Sequence, residues 1–139
     1  MRMHVVGLAV LGLACPGAGH AAEEVERPEL KQVSTVRIAN YGIPSTVITE
    51  RARVSSIVAE LRQLRDRAWR RESPKLSCYA TLSLLIDTKT LTIFRIAPER
   101  VVERAPGRRQ STYSLAVVQG DLPGIRRLLA EIPPAKDCQ

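Results

Sequence analysis

The chain is short of the side chains that most often do chemistry. Its 139 residues hold two histidines, three cysteines, one tryptophan, one phenylalanine and three tyrosines. No apolar run approaches the roughly 20 residues that a helix needs to cross a hydrocarbon core of about 30 Å. The longest, from Val5 to Cys15, has 11. There is no glycine-rich phosphate cradle, because "GDLPG" at 120–124 reads as a helix cap. The carboxylates are scattered singly, with no pair at a spacing that suggests the acid and base of glycoside hydrolysis.

How far these absences reach depends on the first 21 residues. Arg2 and His4 precede the apolar run, Pro16 and Gly17 break it, and Gly19 and Ala21 put small residues at positions −3 and −1 of a cut. That is the layout of a secretory signal peptide over 1–21, cleaved after Ala21. The rival is lipoprotein processing with a diacylglyceryl anchor on Cys15, against which Gly12 stands where a leucine is usual. The expected mature chain is exported, periplasmic or extracellular. It has lost His4 and His20, so it has no imidazole for a serine triad, a Cys–His pair, zinc ligation or proton transfer near neutral pH. No cofactor or metal site is expected.

Two cysteines remain, Cys78 and Cys138. In an oxidising compartment a surviving even pair reads as a disulfide. Closing a loop of about 60 residues contributes at most about 4 kcal/mol on the chain-entropy account. A redox-active pair would need a C-x-x-C spacing or a cation poised to acidify a thiol, and neither is present.

What the chain does have is positive charge: 21 Lys and Arg against 14 Asp and Glu, a net +7. Removing Arg2 with the leader leaves +6. Residues 22–32, with "EEVERPELK", are charged, carry Pro28 and show no apolar period, and are expected to form a flexible lead-in. From 33 to 139 the pattern is that of one α+β domain. Alternation predicts strands near 33–40 and 46–54 about a "GIP" turn. A helix follows, with Ser55 or Ser56 as N-cap, a stripe of Ile57, Val58, Leu61, Leu64 and Ala68, and an end before Pro74. Four strands come next, two over "LSCYATLSLLID" and "TLTIFRIA", and two near 100–104 and 111–118. A last helix capped by Asp121 stops at Pro133. The order ββαββββα implies a twisted antiparallel sheet with both helices on one face.

Three surfaces draw attention. The turn "ERAPGRRQ" places Arg104, Arg108 and Arg109 on a hairpin tip, a candidate partner-binding site in which Arg108 and Arg109 have no acidic neighbour within four residues. Tyr41, beside the turn in "YGIPSTV", is a second. The helix arginines Arg62, Arg65, Arg67, Arg70 and Arg71 are interleaved with Glu60, Asp66 and Glu72 and read mainly as a solvated face, with Asp66 and Arg70 as an i,i+4 pair. Arg65 is the exception, since it projects onto the apolar stripe. Either its stem packs while the guanidinium lies over Trp69, or it reaches a carboxylate of a partner.

The expected function is that of a small exported non-catalytic protein-binding domain, such as an inhibitor, an immunity-type protein or an envelope accessory protein. The alternative is a basic binder of anionic polymers: lipopolysaccharide, cell-wall polymer or nucleic acid. Against it stands the scarcity of aromatic stacking platforms. A carboxylate-based enzyme is a lesser alternative.

Overall fold

The computed structural model describes residues 27–40, 45–106, 111–133 and 138. Seven strands and two helices follow in the order β1 (Thr35–Ala39), β2 (Thr46–Ile48), α1 (Arg51–Arg65), β3 (Arg70–Arg71), β4 (Ala80–Ile86), β5 (Lys89–Ile96), β6 (Arg100–Ala105), β7 (Ser111–Ala116) and α2 (Pro123–Ala130). The strands form one antiparallel sheet in the order β2-β1-β4-β5-β6-β7-β3.

Successive side chains on a strand point to opposite faces, so residues paired across strands share a face. The register sets Ile38 opposite Leu82, Leu82 opposite Phe94, Ile96 opposite Val101 and Val101 opposite Leu115. All of these are buried in one cluster with Val54, Ile57, Val58, Leu61 and Leu64 of α1 and Ile125 of α2. Both helices therefore cover the same face of the sheet. The expected α+β architecture is present, with β3 as an additional short strand.

Several boundaries differ from the sequence reading, each for a local reason. Helix α1 begins at Arg51, with Glu50 as an N-cap that makes no side-chain hydrogen bond, and Ser55 and Ser56 lie exposed inside the helix. Val54 explains the shift: it is the first residue of the buried stripe and so belongs to the helix, leaving β2 to end at Ile48. At the other end the helix stops at Arg65, with Asp66 as C-cap. Arg67 N–H and Trp69 Nε1–H both donate to the Leu64 carbonyl, at 3.1 and 2.7 Å, satisfying an acceptor that the helix leaves open. Ala68 is thus outside the stripe. Arg70 and Arg71 are not at the helix end; they pair with Ser114 and Tyr113 at the sheet edge, so the helical Asp66 and Arg70 pair does not form.

Helix α2 is capped from outside. Leu122, at φ 55°, rather than Asp121, is its N-cap. Two of its open N–H groups, on Gly124 and Ile125, donate to the Glu60 carboxylate of α1 at 2.7 and 2.9 Å. A β-carbon on Gly124 would lie 2.5 Å from Glu60 Oε1, so a larger residue there would displace the Glu60 carboxylate from its present position.

The described part of the lead-in, 27–32, makes contacts with the domain. Leu30 is 3% exposed and packs in the core, while Arg62 and Arg65 donate to the carbonyls of Leu30 and Pro28. Cys78 and Cys138 are joined in a disulfide, with Cα atoms 5.6 Å apart. No described helix is long and apolar enough to cross a membrane.

Candidate functional site

The helix-free face of the sheet is built by the same alternation that builds the core. One row across it runs Val47, Arg37, Ser83, Ile93, Arg104, Thr112. The next runs Ala39, Thr81, Arg95, Val102, Ser114, Arg70. Arginines from β1, β5, β6 and β3 thus point to this side with hydroxyls and short apolar side chains between them, and toward β6 and β7 the face is covered, Val102 and Ser114 being buried. Arg37 and Arg70 are exposed, and Arg95 is half-buried with its guanidinium 5.3 Å from the centroid of the Tyr79 ring. With a strand spacing of about 4.8 Å, Arg37 and Arg70 stand about 24 Å apart.

The distribution of acid makes this face basic. Among the described residues, Glu103 is the only Asp or Glu in any strand, and it points to the helix side. The nearest compensation is Glu72, just after β3, whose carboxylate accepts from Arg100 Nη1 at 3.1 Å and from the Ser114 hydroxyl.

On the helix side, Glu103 is fully buried and centres a charge cluster. It accepts from Thr92 Oγ1 at 2.8 Å, from Arg27 Nη2 at 2.6 Å and Nε at 3.2 Å, and from Arg65 Nε at 3.1 Å and Nη2. The Arg27 guanidinium lies over the rings of Trp69 and Tyr113, 4.5 and 4.6 Å from their centroids. Arg65 therefore does reach a carboxylate, one within its own chain. The cation over Trp69 is Arg27.

Of the residues singled out from sequence, Arg104 lies within β6 rather than on the tip, half-buried and engaged within the chain. Arg108, Arg109 and Tyr41 lie outside the described residues. Glu103 and Arg27 were missed. A signal for Glu103 existed: Val101, Glu103 and Ala105 alternate on one strand face, just as Arg65 sits on the helix stripe, so two opposite charges were aimed at one core. Arg37, Arg70 and Arg95 carried no such signal, because an arginine on the open side of an alternating strand is ordinary.

Glu103 has its oxygens occupied by the side chains of Arg27, Arg65 and Thr92, and the helix-free face carries guanidiniums and hydroxyls with the Glu72 carboxylate at one end. A depression of about 600 Å³ beside the disulfide is lined by Lys75, Ser77, Pro98, Glu99 and Arg100, with charges of both signs. Among the described residues no three His, Cys, Asp or Glu side chains cluster as a metal site. No family model, no curated protein and no solved structure matches this chain.

Proposed function

We propose that the protein is a small exported, non-catalytic binding domain that presents its helix-free sheet face to an acidic partner protein. The observation that carries this is the sorting of charge between faces: arginines of four strands on the helix-free side and, among the described residues, the one strand carboxylate turned inward. A positive face speeds encounter with an acidic surface and fixes its orientation. Ile93, Val47 and the hydroxyls of Thr81, Ser83 and Thr112 supply short side chains that let a second surface approach closely. An inhibitor, an immunity-type protein or an envelope accessory protein would use such a face. Export fits the disulfide, which persists in oxidising compartments.

A binder of anionic polymers would share the charge but rely on phosphate or sulfate contacts and stacking rings. Among the described residues, the ring in contact with an arginine of this face is Tyr79, with Arg95. The test is affinity capture from an envelope fraction with the native protein and with Arg37→Glu/Arg70→Glu, alongside elution from a heparin column. A stoichiometric acidic protein retained by the native chain and lost by the variant supports the proposal. Tight, salt-sensitive heparin retention with no protein partner assigns the face to polymers instead.

A further inference from the structure

We propose that Glu103, Thr92, Trp69 and Tyr113, with Arg62 and Arg65 of α1, form a recognition site for an extended Arg-x-x-Leu segment, which the chain's own residues 27–30 fill. The arginine pocket is complete in its chemistry. A carboxylate with no exposure accepts two hydrogen bonds from the Arg27 guanidinium, and that guanidinium lies over the rings of both Trp69 and Tyr113. This combines charge-assisted hydrogen bonding with cation–π contact, and the planar guanidinium makes both at once through two donors, a fork that a lysine ammonium lacks.

The recognition continues along the backbone. Arg65 Nη1 donates to the Pro28 carbonyl and Arg62 Nη2 to the Leu30 carbonyl, contacts that any residue at those positions would make. Leu30 enters the core between the helix and the sheet, whereas Glu29 is exposed and pairs with Lys31 at 2.8 Å. The specific demands are therefore an arginine and, three residues later, a leucine. Extended-peptide recognition in general draws affinity from main-chain hydrogen bonds and specificity from side-chain pockets. Here the ligand is in cis, so an Arg-x-x-Leu segment of a partner protein binds by replacing 27–30.

The test uses the full chain with Arg27→Ala, titrated with acetyl-Arg-Pro-Glu-Leu-amide and with the same peptide bearing lysine in place of arginine. At about ten times its dissociation constant the arginine peptide is expected to raise the Tm by about 5 °C, with quenching or enhancement of Trp69 fluorescence. The lysine peptide and the native chain should respond far less. Equal shifts with both peptides, or no shift in a folded variant, would overturn the proposal. If Arg27→Ala does not fold, Arg27→Gln carries the same titration. If neither folds alone, recovery of structure on adding the arginine peptide supports the site, and failure to recover contradicts it.

Discussion

Replacing Glu103 by Gln keeps the shape of the side chain and removes its charge. Two guanidiniums, each with its side chain 16% exposed, would then face a neutral amide in place of a carboxylate that meets both. The amide presents one acceptor oxygen where the carboxylate presents two. Thr92 Oγ1 and Arg65 Nη2 both use Oε2, while Arg27 uses Oε1, so one set of donors meets an NH₂ group. Breaking a buried ion pair by neutralising one partner costs about 3–5 kcal/mol, because the other charge stays desolvated. A domain of this size has about 5–15 kcal/mol in all. The expected loss corresponds to a fall in Tm of at least about 10 °C. Urea denaturation followed by circular dichroism reads it directly. Replacing Glu103, Arg27 and Arg65 together by Leu, Met and Met should recover most of the loss, since the desolvation cost vanishes with the charges. A Glu103→Gln protein within about 1 kcal/mol of the native chain would refute the view that this carboxylate holds the lead-in and α1 to the sheet.

Two further outcomes are expected. Reducing the Cys78–Cys138 bond, or substituting Cys138→Ser, should lower stability by up to about 4 kcal/mol in urea denaturation, with the bond itself confirmed by non-reducing peptide mapping. The Asp121 carboxyl is held below its ordinary range by the Val118 N–H that donates to it and then by Arg67. Its contribution is therefore complete above the unfolded value of about 3.9 and is lost as pH falls through the lower folded value, so acid titration of Asp121→Asn should show a flatter loss of stability in that window.

Much of the fold was legible because alternation and helical period are written into β1, β4, β5, β6, β7 and the stripe from Ile57 to Leu64. What was not legible depended on tertiary contacts. Val54 reads equally as a strand or helix position until the core claims it. Arg70 and Arg71 suit a helix C-terminus by charge, but Trp69 turns back to the Leu64 carbonyl and carries them to the sheet edge. The segment 27–32 looks solvated because its one anchoring leucine gives no periodicity, and its arginine finds Glu103 across 76 residues of sequence. The open basic face emerges only from strand order, since Arg37, Arg70, Arg95 and Arg104 are scattered along the chain until the register aligns them.

The assignment of that face as the binding surface is tested most directly by the association rate with the captured acidic partner. Arg37 and Arg70 are both exposed, so Arg37→Glu/Arg70→Glu should leave the circular dichroism spectrum and Tm nearly unchanged. Reversing rim charges slows encounter, and a fall in association rate of about tenfold at low salt is expected, shrinking as salt is raised. The tip change Arg108→Ser/Arg109→Ser, measured in parallel, should do less. An association rate for the face variant equal to that of the native chain from low to moderate salt would contradict the assignment.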